Sequence, residues 1–143
     1  MPMDFITQTN NLLLITLVVI SGGALLSPFL TRSGAKDVNP GEATLLINRE
    51  DAQVIDVREA DEFAKGHLPD ARNLPVAKLA ERAGEIEKFK GKPLIVCCAS
   101  GVRSARACKE LAKLGFSNVQ NLAGGVDAWV GAGYPLKKGN RSK

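Results

Sequence analysis

Apolar and polar positions along this chain fall into one long uninterrupted apolar run followed by short segments of alternating character. The run from Leu12 to Leu30 carries no charge. At ~1.5 Å per residue it makes about 28 Å of helix, the thickness of a bilayer core. Gly22, Gly23 and Pro28 weaken a soluble helix but are tolerated in a membrane helix. Residues 1–10 lack the Lys or Arg of a cleaved signal peptide, so a retained transmembrane helix is expected. Arg32 and Lys36 follow the run, and that bias places the C-terminal part in the cytoplasm. The expectation is a single-pass protein of the inner (plasma) membrane.

Beyond a polar linker, Thr31–Asn39, the rhythm shortens. A helix is predicted for Glu42–Arg49 behind Pro40, and a strand for Gln53–Val57. A helical turn over Ala60–Lys65 closes at Gly66, and Ala71–Leu74 is extended up to Pro75. Val76–Phe89 reads as a helix with one polar side, and Leu94–Cys97 as a short buried strand. Ser104–Leu114 reads as a helix with Ala105, Cys108, Leu111 and Ala112 on its apolar face, ended by Gly115. Val119–Leu122 is the last strand, and a final helix begins at Val126–Val130. Strands alternating with helices predict an α/β domain with a mainly parallel sheet. Ligands of such sheets sit beyond the C-terminal ends of the strands, where the loop after Cys97 falls. The chain divides into an anchor and linker (1–36), a domain (37–136) and a basic tail (137–143).

Composition narrows the classes. The net charge of +4 is concentrated at the ends. Lys137, Lys138, Arg141 and Lys143 lie in the tail, read as a frayed, solvated terminus. The body between is close to neutral and has no basic stripe for nucleic acid. The 3 cysteines, two of them adjacent, make a poor disulfide framework and suit a reducing compartment. A single histidine, His67, and the lack of CxxC spacing leave no metal site.

The chemistry concentrates in Cys98-Ala99-Ser100-Gly101-Val102-Arg103-Ser104. A thiol at a strand end, followed by small residues and a helix start, faces a ring of backbone N–H groups that favours thiolate and binds anions. Cys98 is the candidate nucleophile. Ala99, Ser100, Gly101, Val102 and Arg103 are the candidate substrate-binding residues, with Arg103 either neutralising an incoming anion or bracing the loop. Counted from Cys98 the loop is CX4R. Counted from Cys97 it is CX5R followed by serine, a phosphatase-type spacing.

Three motifs carry a resemblance. The first is Ile55-Asp56-Val57-Arg58-Glu59 with Glu62-Phe63 and Gly66-His67-Leu68-Pro69-Asp70-Ala71-Arg72-Asn73-Leu74-Pro75. The second is the Cys98 loop. The third is Leu122-Ala123-Gly124-Gly125-Val126-Asp127-Ala128-Trp129 with Gly133-Tyr134-Pro135. Together they resemble the single-domain rhodanese-like sulfurtransferases and, with the N-terminal run, the bacterial inner-membrane-anchored members. The resemblance implies a small parallel sheet flanked by helices. It also implies transfer of sulfane sulfur, through a persulfide on Cys98, from a donor anion such as thiosulfate to a thiol or cyanide-like acceptor, without a cofactor.

Other readings stay open at this point. A phosphatase or arsenate reductase would use Cys97, although Val96 stands where such loops usually carry histidine. A non-enzymatic sulfur carrier or binding module could act on a membrane-protein partner. Asp56 and Arg58 are supporting candidates, either turned toward the site or paired to hold the turn. Cys97 and Cys108 read as core, Trp129 as packing, His67 as a hydrogen-bonded turn residue, and Glu62 as a solvated or ion-paired helix residue.

Overall fold

The computed structural model describes residues 35–140. The expected span, Leu12–Leu30, lies outside these residues. Among the described residues no helix is long and apolar enough to cross a membrane.

Among the described residues five parallel strands form one sheet. They are β1 (Lys36–Val38), β2 (Gln53–Asp56), β3 (Arg72–Asn73), β4 (Leu94–Cys97) and β5 (Val119–Leu122), in the order β1-β5-β4-β2-β3. The helices are α1 (Pro40–Glu50), α2 (Ala60–Lys65), α3 (Leu79–Arg82), α4 (Val102–Lys113) and α5 (Gly125–Gly131). β4 occupies the centre, and every one of its residues is buried. That is the environment a Leu-Ile-Val-Cys run demands.

Successive side chains of a strand point to opposite faces, and the two core layers follow that rule. Leu94, Val96 and Cys98 join Ile55, Leu79, Cys108 and Leu111 in the layer under α3 and α4. Ile95 and Cys97 join Val38, Phe63, Leu122 and Trp129 in the layer under α1, α2 and α5. The adjacent cysteines therefore pack into different layers.

Local chemistry sets the element ends. The Asn39 side chain accepts from Glu42 N–H at 2.8 Å, with Pro40 at the first helical position of α1. In α2, Glu59 N–H donates to the Glu62 carboxylate at 3.3 Å.

Three expectations need correction. Lys36–Val38 is an edge strand rather than linker: it pairs with β5, and Ala123 N–H adds a bond to Val38 O at 2.8 Å. Val76–Phe89 is not one helix but a 3-10 turn (Val76–Lys78), the single turn α3 and a second 3-10 stretch (Ala83–Phe89). Gly84 weakens regular helix there, and only Leu79 and Ile86 are buried within the helical pieces to hold it on the sheet. The start of the basic tail is tied down: Lys137 exchanges backbone bonds with His67 at 2.8 and 2.9 Å, and Gly139 N–H donates to Ala64 O at 3.0 Å.

Candidate active site

The loop after β4 is shorter than the motif suggests, because α4 already begins at Val102. Only Ala99, Ser100 and Gly101 separate Cys98 from the helix. Gly101 takes φ 101°, and a Cβ there would stand 3.2 Å from Gly124 N, so the turn needs glycine. The loop is supported by the start of α5. Val126 N–H donates to Cys98 O at 2.8 Å, and Asp127 N–H to Ala99 O at 3.1 Å. A Cβ on Gly125 would lie 2.3 Å from Cys98 O. The Gly-Gly of the third motif is thus the surface on which the cysteine loop rests.

Cys98 is only 1 % exposed, and its sulfur sits at the base of this turn. Gly101 N–H donates to it at 3.1 Å and Ser104 N–H at 3.4 Å. The Ser104 hydroxyl stands 3.4 Å away, and either atom of that contact can donate. Burial opposes ionisation. The N–H groups of Ser104, Gly101 and Ser100 oppose that effect and favour the thiolate. The hydroxyl helps the thiolate only while its proton points at sulfur.

Cys97, one residue away, is the opposite case. It is fully buried, and desolvation followed by the nearby Asp56 carboxylate pushes its thiol well up. Cys97 packs in the layer under α1, α2 and α5, whereas the N–H groups of the loop reach Cys98. Desolvation also pushes Cys108 up to about 12, as a core cysteine.

Arg103 braces the loop. Its guanidinium forms a two-pronged bond to Glu62, at 2.8 and 3.0 Å. The bond to Arg103 brings the Glu62 carboxyl down to about 2. One carboxylate thus closes the first turn of α2 and ties it to α4. About two-fifths of the Arg103 side chain stays exposed. Glu62 and Val126 also line a groove of about 270 Å³ with Arg58, Lys65, Gly66 and Leu136.

Asp56 and Arg58 pair with each other. Arg58 Nη2 bonds Asp56 at 2.7 Å and Gly66 O at 2.7 Å, and Arg58 N–H bonds the same carboxylate at 3.0 Å. Both are buried. They hold the turn after β2, the second of the two sequence readings. His67 bonds Phe63 O through Nδ1 at 2.9 Å and stacks on the Phe63 ring, 3.8 Å between centroids. Trp129 packs in the core and donates from Nε1 to Pro135 O at 2.9 Å.

The residues that sequence reasoning leaves out are Ser104, Asn121 and Asp37. Ser104 stands in the first turn of α4, and its backbone and hydroxyl both reach the sulfur. Asn121 on β5 accepts from the Ser104 hydroxyl at 2.5 Å and donates from Nδ2 to Asp37 at 3.1 Å and to Gly101 O at 3.3 Å. The serine closing the second motif is a usable signal. Asn121 lies just before the third motif and carries none.

Comparison with known proteins agrees with this architecture. The model of the rhodanese-like domain matches residues 39–132. The chain belongs to the rhodanese-like family. The Escherichia coli K12 protein YibN is 44% identical over 108 residues, covering 75% of this chain and 76% of that protein. A protein of Coxiella burnetii named thiosulfate sulfurtransferase GlpE is 32% identical over 107 residues, covering 75% of this chain and 97% of its own length. The crystal structure of a rhodanese-related protein from Thermoplasma volcanium superposes with a TM-score of 0.65 at 32% identity, covering 71% of this chain and 97% of that one. In this rhodanese-like domain the Cys98 loop stands at the C-terminal edge of the central strand, where open α/β sheets place their ligands.

Proposed function

We propose that this rhodanese-like protein is a sulfurtransferase that carries sulfane sulfur as a persulfide on Cys98. The observation that carries the reading is the Cys98 sulfur receiving the N–H groups of Gly101 and Ser104 while its neighbour Cys97 is sealed in the core. The name of the Coxiella burnetii relative supports thiosulfate as donor.

The steps balance without a cofactor. The Cys98 thiolate attacks the outer sulfur of thiosulfate. The donor's S–S bond breaks, and sulfite leaves with the bonding pair. The new persulfide keeps its negative charge on the terminal sulfur. That sulfur stands about 2 Å beyond Sγ, which brings it up from the buried base of the loop toward an acceptor. A thiolate or cyanide then attacks it, forming an acceptor persulfide or thiocyanate and returning the Cys98 thiolate. The loop's N–H groups and the dipole of α4 stabilise the anion in each state. Arg103 keeps the loop's shape through Glu62 and keeps exposed surface for the donor anion.

Intact mass spectrometry of the full chain before and after thiosulfate tests this. One sulfur atom is gained in the wild type and in Cys97→Ala, is removed by cyanide, and is not gained in Cys98→Ser. Uptake that persists in Cys98→Ser ends the proposal, and a folded wild type that gains no sulfur leaves a binding module as the better account.

The second part of the proposal is location. The charge-free run Leu12–Leu30 tethers the domain to the inner membrane, with Arg32 and Lys36 holding it on the cytoplasmic side. A thiol in a reducing compartment suits this placement. A C-terminal reporter fusion active only in the periplasm would overturn the orientation.

A further inference from the structure

Four side chains from four parts of the fold form a chain of hydrogen bonds that ends on the candidate nucleophile. Asp37 on β1 faces Asn121 on β5, its partner in the strand register. Asn121 faces Ser104 on α4, and Ser104 faces Cys98 after β4. Asn121 is 5 % exposed and Ser104 is fully buried, while Asp37 at the sheet edge is exposed.

The direction of each bond follows from chemistry. Asp37 Oδ1 and Gly101 O are acceptors, so the end of Asn121 that faces both must be the NH2 group. The reversed amide would set its oxygen against two acceptors. It would also place a nitrogen 2.5 Å from Ser104 Oγ, a separation that suits O–H···O and is too short for N–H···O. Asn121 Oδ1 therefore faces Ser104. Two oxygens at that separation need a proton between them, and the hydroxyl holds the only one. With its single proton spent on Asn121, Ser104 Oγ turns lone pairs to sulfur.

We propose that Asn121 is a positioning residue: held by Asp37 and Gly101 O, it commits the Ser104 hydroxyl proton away from Cys98, so that Ser104 accepts from the Cys98 thiol instead of donating to its thiolate. The inference deepens the sulfurtransferase reading and rests on it for the role of Cys98. In the resting state the serine holds the thiol proton, while the backbone N–H groups of Gly101 and Ser104 wait for the anion. Once sulfur is bound, Sγ has no proton to give. Ser104 then loses its donor, and the persulfide is favoured less by this side chain than by the backbone. The chain of bonds acts as a brake on ionisation that strand β5 applies through Asn121.

The test is the pH dependence of Cys98 alkylation by iodoacetamide in the full chain, with the modified residue located by peptide mass spectrometry. Among the described residues Arg103 and Cys108 on α4 and Cys97 on β4 also interact electrostatically with Cys98, and all stay in place. Beyond them lie Glu62 on α2 and the Asp56–Arg58 pair after β2, also unchanged. Ser104→Ala removes an acceptor from the thiol, and the midpoint falls by about half a pH unit or more, the size of one neutral hydrogen bond. Asn121→Leu removes the oxygen that takes the Ser104 proton and frees the hydroxyl to donate to the thiolate, so its midpoint also falls below that of the wild type. A midpoint that rises or stays put in Ser104→Ala or in Asn121→Leu overturns the proposal. Sulfur uptake from thiosulfate is followed in the same samples. Its absence in the wild type would end the sulfurtransferase reading while the order of the alkylation midpoints still decides the orientation of Ser104.

Discussion

At the scale of single residues, the site is a contrast between two neighbouring thiols. Cys97 and Cys98 differ by one position along the chain, and the strand period of two sends them to opposite layers. Chain spacing alone admits either thiol, as CX4R from Cys98 or CX5R from Cys97, and it is the fold that brings the N–H groups of Gly101 and Ser104 to Cys98. The partners of Arg103 are less legible. An arginine after a small-residue loop reads equally as anion ligand or brace, and only the fold brings Glu62, 41 positions earlier, to its guanidinium. Arg103→Ala should lower the rate of sulfur uptake on the order of tenfold or more, since it removes a charged two-pronged hydrogen bond. Glu62→Gln keeps the shape and loses the charge, so its loss should be smaller, and stopped-flow sulfite release would rank the two. Glu62 titrates far below its ordinary value, so the pair's stabilisation is complete above about 4.5. It is lost as pH falls from there toward about 2. Between pH 5 and neutrality the rate should therefore follow Cys98 and not this pair.

At the scale of elements, α4 and α5 meet at the loop from two sides. Gly125 carries that junction, with Cys98 O where its Cβ would be. Gly125→Ala should destabilise the domain by at least ~2 kcal/mol and push the loop off α5. Gly131→Ala, with open space around its Cβ, serves as control in thermal denaturation. The helices and strands with strong periodicity are readable from the chain, and so is their parallel arrangement. β1 is not, because a three-residue edge strand of Lys-Asp-Val has one buried side chain and no alternation to detect. Its meaning comes from β5, which supplies the register and brings Asp37 to Asn121. The 76–89 segment misleads for the converse reason. Its apolar spacing suggests one helix, but only Leu79 and Ile86 are fully buried, with Val76 and Phe89 packed partly against the core, and the turns tighten.

At the scale of the whole molecule, two buried thiols make the fold sensitive to alkali. Cys108 is pushed up to about 12 and Cys97 well above its ordinary value of 9.0. Groups raised in the folded state stabilise it fully below 9.0, and Cys108 loses that contribution as pH climbs toward 12. Urea midpoints should fall steadily over that window, and Cys108→Ala should flatten the slope even if it lowers stability at neutral pH. Composition misreads the tail, since charge says nothing of the backbone pairing between Lys137 and His67. Removal of residues 136–143 should accordingly lower thermal stability.

The placement of the two cysteines in separate layers also bears on oxidative damage. When peroxide converts a thiolate to a sulfenic acid, many proteins recover by closing a disulfide with a second cysteine held beside it. Here the adjacent thiol faces the other side of the sheet, buried among Ile95, Phe63 and Leu122. A sulfenic acid on Cys98 has no resolving partner at its neighbouring position. Cys108 shares the layer of Cys98 but is held neutral by burial, so repair falls to a small thiol from solution reaching the base of the loop, and the speed of that rescue sets how much protein passes on to the irreversible sulfinic acid.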